Sequence, residues 1–224
     1  MRLARTLVVC LVALAGCGTS NGGGGGTTTT AVDRGFKHEV VLRRATVYIR
    51  GCGTGWLAST KYVVTNAHVV ACVLQRNHKY ATVDFSDGTT MIAYFAGMSS
   101  EPFVDLAVLA LEGEADHDIL KLTTTSTIPK DTLLLSVGNP TPVTWVPTTY
   151  RVVMQPDHVE GGLDRVLILE GLAMHGNSGS PVVSLDGKVV GTIFARAPGF
   201  AYAIPVQPYL VSLLRAVAPR RTWP

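Results

Sequence analysis

Gly176-Asn177-Ser178-Gly179-Ser180-Pro181 sets a serine between two glycines, and its place in the chain decides which folds remain. A serine hydroxyl is a weak nucleophile until a neighbouring base takes its proton and a carboxylate orients that base. Upstream, Thr65-Asn66-Ala67-His68 offers a histidine and Val104-Asp105-Leu106-Ala107-Val108-Leu109 an aspartate. The order is therefore His, Asp, Ser. A doubly wound hydrolase runs Ser, acid, His, but no histidine follows Ser178, and Ser180 stands where its Gly-x-Ser-x-Gly elbow needs glycine. A subtilisin-like order needs an aspartate ahead of His68, and only Asp33 is there, beside a glycine-rich stretch.

Outward from this stretch the chain reads as short strands rich in Val, Ile, Tyr and Thr. The first set covers 45–50, 55–59, 62–65, 81–85, 91–98 and 106–111; the second covers 132–137, 143–153, 165–170, 181–184, 189–195 and 201–204. Asp87-Gly88 and Asp186-Gly187 are hairpin turn pairs. The more polar 112–130 reads as a connector. Two sets of six predict an all-β protein of two six-stranded antiparallel β-barrels, at about 40–115 and 129–206. Apolar residues at helical spacing over 207–217, with Pro208 in the first turn, predict a short C-terminal helix.

Composition agrees with a packed core: of 224 residues, 47% are hydrophobic and 16% charged. The formal charge is +3. Arg2 and Arg5 open a segment that reads as a signal peptide, 1–16, so the charge of the remainder is about +1. No basic stripe with interleaved aromatics is present, so nucleic acid is not an expected partner. The apolar run 6–15 is too short to span a bilayer. It ends in Leu14-Ala15-Gly16-Cys17, which resembles the bacterial lipobox. That resemblance implies cleavage before Cys17 and a lipid (palmitate among its acyl chains) on that cysteine; the alternative is an ordinary secretory signal that contains Cys17. Residues 17–35, almost all Gly, Thr, Ser and Asn through 30, read as a flexible tether. With Cys10 in the signal, Cys52 and Cys72 remain. In an exported protein they are a candidate disulfide bracketing His68, the alternative being two separate buried thiols. Closing that loop is worth about 3 kcal/mol. His38, His68, His78, His117, His158 and His175 show no metal-ligand spacing, and no cofactor is expected.

Five motifs in order carry a family resemblance. They are Gly53-Thr54-Gly55-Trp56, Val63-Val64-Thr65-Asn66-Ala67-His68-Val69-Val70, Asp105-Leu106-Ala107-Val108-Leu109, Gly176-Asn177-Ser178-Gly179 and Ala201-Tyr202-Ala203-Ile204-Pro205. From about Arg44 to Ala216 the chain resembles a trypsin-like, chymotrypsin-fold serine protease of the HtrA/Deg type, which would fill 36–218. The resemblance implies a His68–Asp105–Ser178 triad: His68 as general base then acid, Asp105 orienting it, Ser178 attacking the scissile carbonyl. It also implies an oxyanion hole made by the backbone N–H groups of Gly176 and Ser178. Trypsin-like enzymes activated by proteolysis carry Asp before the serine; Asn177 cannot offer that charge, so zymogen cleavage of that kind is not expected.

By the same resemblance, Leu172, His175, Ile193, Phe194, Ala195 and Arg196 would line the substrate pocket. Leu172 falls where trypsin places a carboxylate, which argues against basic residues and for a small or medium apolar residue before the cut. Alternatively, His175 and Arg196 would read an acidic residue. The backbone of 194–196 is expected to pair with substrate as an added strand. A PDZ domain, usual in many HtrA proteases, is not expected, because the chain stops soon after the terminal helix. The reading is an exported, lipid-anchored serine endopeptidase acting on proteins or peptides at a bacterial membrane. Its rival is a non-proteolytic or latent module that keeps the scaffold.

Overall fold

A computed structural model describes residues 31–76, 79–141, 144–158 and 162–217; for 31–37 only the backbone is described. The signal peptide, Cys17 and the tether through residue 30 lie outside the described residues.

Two closed antiparallel barrels of six strands each form the molecule, as the strand pattern predicts. The first contains β1 (Thr46–Ile49), β2 (Gly53–Leu57), β3 (Tyr62–Thr65), β4 (Ala81–Phe85), β5 (Thr90–Met98) and β6 (Ala107–Leu111), in the order β1-β2-β3-β6-β5-β4. The second contains β7 (Leu133–Thr141), β8 (Thr144–Met154), β9 (Leu167–Glu170), β10 (Pro181–Ser184), β11 (Val189–Ala197) and β12 (Phe200–Pro205), in the order β10-β11-β12-β9-β8-β7. Closure gives every strand a neighbour on both sides, so neither barrel ends in an edge strand.

Three apolar clusters fill the structure. Val47, Leu57, Val63, Phe85 and Leu109 pack inside the first barrel. Leu134, Tyr150, Val152, Leu167 and Val190 pack inside the second. A third cluster joins the barrels, with Trp56, Val64 and Val108 of the first against Val137, Val183 and Ile204 of the second. Two indole hydrogen bonds cross the same seam: Trp56 Nε1 donates to Thr192 Oγ1 at 3.3 Å, and Trp145 Nε1 donates to the Thr46 carbonyl at 3.1 Å.

Helices appear where the strand pattern did not announce them. α1 (Ala31–Ala45) begins inside the stretch read as tether and runs into β1. Its last turn is anchored: Leu42 and Ala45 are buried in the shared core, and Thr46 Oγ1 donates to the Leu42 carbonyl at 2.7 Å. Arg43 and Arg44 lie in that last turn, where positive charge suits the helix dipole. α2 (Ala67–Gln75) follows β3 directly and buries Val69, Val70 and Val73 against the first barrel. A single π-helical turn, Val206–Leu210, leads directly into the terminal helix. Gln207 is extended (φ −98, ψ 132), because the residue before a proline is driven out of the helical region, and α3 spans Val211–Val217.

Cys52 and Cys72 form a disulfide, with Cα atoms 5.8 Å apart across a separation of 20 residues. It ties the β1–β2 turn to α2. Replacing both cysteines by alanine is expected to lower unfolding free energy by about 3 kcal/mol. Urea denaturation followed by circular dichroism checks this, and an unchanged midpoint would show that the bridge does not constrain the unfolded chain.

Candidate active site

His68 is the second residue of α2, and its position follows from how that helix starts. The first backbone N–H groups of a helix have no partner within it. Asn66, the residue ahead of α2, makes no side-chain cap. Asp105 supplies one from across the fold: its Oδ1 accepts from the His68 backbone N–H at 2.9 Å. Its Oδ2 lies 2.5 Å from His68 Nδ1. One carboxylate thus holds both the backbone and the ring of one residue. Asn66 Nδ2 in turn donates to the Asp105 carbonyl at 2.7 Å, which fixes the chain ahead of β6. A carboxylate oxygen accepts, so Nδ1 carries the proton and Nε2 presents a lone pair. The His68 side chain is 48% exposed and Asp105 23%, so the ring stands at an open surface with its partner beneath it.

Ser178 lies between β9 and β10. Ahead of it, the Asn177 N–H donates to the Met174 carbonyl at 3.2 Å, and Gly176 has φ +92. A four-residue turn with positive φ at its third position is of type II, which favours glycine there. A β carbon on Gly176 would also lie 2.5 Å from the Asn139 carbonyl oxygen. Behind Ser178, Gly179 has φ +88, and a β carbon there would lie 1.9 Å from the Thr54 carbonyl oxygen. Among the described residues, the N–H groups of Gly176 and Ser178 have no hydrogen-bond partner, whereas those of Asn177, Gly179 and Ser180 are all paired. The two N–H groups named from the sequence are therefore the two the turn leaves available.

The fold brings the histidine and serine segments together through Gly53. A β carbon on that glycine would meet Val69 Cγ2 at 2.9 Å and the Ser178 carbonyl oxygen at 3.0 Å. Among the described residues no hydrogen bond links His68 Nε2 to Ser178 Oγ; such contacts often tighten only when substrate is bound.

A cleft of about 210 Å³ opens beside Ser178, walled by 173–178 on one side and 193–196 on the other. Five of the six residues expected to line a substrate pocket are placed within reach of it: His175, Ile193, Phe194, Ala195 and Arg196. Leu172 is not. Its side chain is 66% exposed, while its carbonyl accepts from Tyr150 Oη at 3.1 Å, and the buried Ala173 lines the cleft in its place. Burial pushes the Tyr150 phenol above its ordinary pKa, so it remains a donor to that carbonyl. At the rim, Arg196 Nη2 donates to His175 Nε2 at 2.6 Å. A guanidinium has no acceptor, so in this contact His175 Nε2 is the accepting atom.

β11 pairs with β12 along its length, but its register with β10 ends at Thr192. A bulge lies between Ile193 and Ala195, and bulges of this kind re-aim side chains beside functional sites. The edge at 194–196 is therefore free for an extended peptide.

The motif reading passed over the residues behind these groups. Thr54 is fully buried, and its hydroxyl donates to the Gly176 carbonyl at 2.6 Å while accepting from the Asn139 N–H at 3.0 Å. Its N–H donates to the Ser178 carbonyl at 2.8 Å, and its carbonyl accepts from Thr65 Oγ1 at 2.7 Å. The available signal was a threonine set between glycines just ahead of Trp56, since a buried hydroxyl must find partners.

A family profile described as trypsin-like peptidase domain matches residues 53–191. Among curated proteins, serine protease HTRA4 of Homo sapiens is 29% identical over 161 residues, covering 68% of this chain and 32% of that protein. A probable periplasmic serine endoprotease, DegP-like, of Bartonella henselae is 30% identical over 161 residues, covering 68% and 31%. The chain thus spans about a third of the length of these relatives. Among solved structures, Deg5 superposes with a TM-score of 0.69 at 23% identity, covering 81% of this chain and 92% of that one. The HtrA-type protease AlgW with a decapeptide gives 0.60 at 25% identity, covering 70% and 48%. Two closed barrels, the seam between them and the match over 53–191 agree: this chain belongs to the trypsin-like peptidase domain family.

Proposed function

We propose that this protein is a serine endopeptidase acting on proteins or peptides outside the cytoplasm. One observation carries the reading. The segment that carries a histidine clamped by an aspartate meets, across Gly53, a serine turn whose two unpartnered N–H groups, on Gly176 and Ser178, are the donors an oxyanion needs.

In this reading a substrate strand lies along 194–196 and its scissile carbonyl sits over Ser178. Ser178 Oγ attacks the carbonyl carbon and its proton passes to His68 Nε2. The positive charge that forms on the imidazole is held by Asp105, and the negative charge on the carbonyl oxygen by the Gly176 and Ser178 N–H groups. The C–N bond then breaks, the leaving amine takes the proton from His68, and an acyl ester remains on Ser178. Water activated by His68 hydrolyses that ester and restores the serine. The reaction needs no cofactor.

The alternative, a latent or non-proteolytic module, draws on the missing hydrogen bond between His68 Nε2 and Ser178 Oγ. Covalent labelling of residues 31–217 with a fluorophosphonate separates the two. Wild type is expected to label and Ser178→Ala not at all. Asp105→Asn, which allows the wrong tautomer, is expected to label about 10³- to 10⁴-fold more slowly. A folded wild type that fails to label until a partner is added would mark the latent form.

Ala173 and Ile193 give the cleft apolar walls, and the Arg196 guanidinium at its rim disfavours a basic side chain. A small or medium apolar residue before the cut fits best. In matched peptide series, Ala or Val at that position is expected to give a higher kcat/KM than Lys or Arg. A preference for Asp or Glu instead would assign the rim pair to substrate recognition.

The periplasmic description of the Bartonella henselae relative agrees with a site of action outside the cytoplasm. We extend it to a lipid anchor at Cys17, with the chain cut after Gly16. Metabolic labelling with an alkyne fatty acid is expected to mark wild type in the membrane fraction and to be lost in Cys17→Ser. A wild type that takes up no label would leave an ordinary secretory signal, and unchanged labelling of Cys17→Ser would move the lipid to another residue.

A further inference from the structure

Thr54 uses every polar atom it has, and three of its four hydrogen bonds cross to the second barrel. Its hydroxyl holds the Gly176 carbonyl and the Asn139 N–H, its N–H holds the Ser178 carbonyl, and its own carbonyl receives Thr65 Oγ1. Thr65 is the last residue of β3, three positions ahead of His68. A continuous path therefore runs from the segment bearing His68, through Thr65 and Thr54, to the two cleft-lining residues whose N–H groups are unpaired.

The geometry explains what the contacts do. The peptide unit joining Gly176 to Asn177 is held at both ends, its carbonyl by Thr54 Oγ1 and its N–H by the Met174 carbonyl. The unit joining Ser178 to Gly179 is held likewise, its carbonyl by the Thr54 N–H and its own N–H by the Ile193 carbonyl. Between these two fixed planes lies the unit that carries the Ser178 N–H. That unit is held too, because its carbonyl, on Asn177, accepts from the Ser180 N–H at 3.0 Å. The Gly176 donor is set by the turn whose last peptide Thr54 holds. Removing the hydroxyl would leave the Gly176 carbonyl and the Asn139 N–H buried without that partner, and the turn would have to move to satisfy them.

We propose that Thr54 is the positioning residue of the oxyanion site: it aims the Gly176 and Ser178 N–H groups and registers them to the barrel that carries His68. The proposal rests on the peptidase reading above but is testable apart from it. Thr54→Val keeps the shape and removes the hydroxyl; Thr54→Ser keeps the hydroxyl. With fluorophosphonate as probe, Thr54→Val is expected to label on the order of 10²-fold more slowly, and Thr54→Ser at a rate of the wild-type order. Hydrolysis of the apolar peptide should show the same pattern in kcat, with KM little changed, because the donors bind the developing oxyanion more than the substrate. A second readout needs no turnover: in amide nitrogen–proton spectra, Thr54→Val should shift or broaden Gly176 and Ser178, and Thr54→Ser should not. Should the wild type fail to label, the peptidase reading fails and the spectra alone decide the positioning role. If Thr54→Val does not fold, the rescue pair becomes Thr54→Ser and Thr54→Ala. Unchanged Gly176 and Ser178 resonances in the hydroxyl-less variant, or an equal loss in Thr54→Ser, would overturn the proposal.

Discussion

Backbone meets backbone where the barrels join, and that approach constrains everything built above it. Gly179 has no room for a β carbon, because the Thr54 carbonyl oxygen would stand 1.9 Å from it. The closeness lets a β2 residue hydrogen-bond directly to the turn bearing Ser178. It also lets Gly53 sit between Val69 of α2 and the Ser178 carbonyl. A side chain at Gly53 or Gly179 would wedge the barrels apart and separate the helix that carries His68 from the turn that carries Ser178.

The second organising feature is the double use of Asp105. Its carboxylate meets a need of folding, an unpaired N–H in the first turn of α2. The same group meets a need of chemistry, a fixed tautomer on the ring of that residue. Because both bonds go to His68, the ring inherits the order of the helix. Asn66 extends the arrangement by holding the Asp105 carbonyl. The His68 ring is thereby partly exposed while resting on a buried scaffold, with His68 at 48% exposure and Val69 at none.

Legibility in the sequence tracked how local the physics was. Strands such as Tyr62–Thr65, Ala81–Phe85 and Pro181–Ser184 were readable to the residue, because β-branched runs bounded by turns carry their own signal. α2 was not read as a helix. Its Val69, Val70 and Val73 have modest helix propensity, and the helix exists because they pack into the first barrel while Asp105 caps it. α1 was hidden for a similar reason: its anchor, Leu42, is buried against residues far along the chain. Beside Ser178 it is Ala173 that lines the cleft while Leu172 is exposed, a distinction of one place that a loop, having no period from which to count, does not display in its sequence.

Chain order and residue chemistry alone determined that His68, Asp105 and Ser178 were the candidates, that twelve strands would group as two barrels, and that Cys52 and Cys72 could pair. These follow from side-chain reactivity, local propensity and spacing, all properties of neighbours in sequence. Only the tertiary structure decided which N–H groups the serine turn leaves unpaired, which side chains face the cleft, and that Thr54 holds the turn from the other barrel. Those depend on hydrogen bonds such as Thr54 to Gly176, which join residues 122 positions apart. No local pattern records such a bond, because its partners become neighbours only once both barrels have closed.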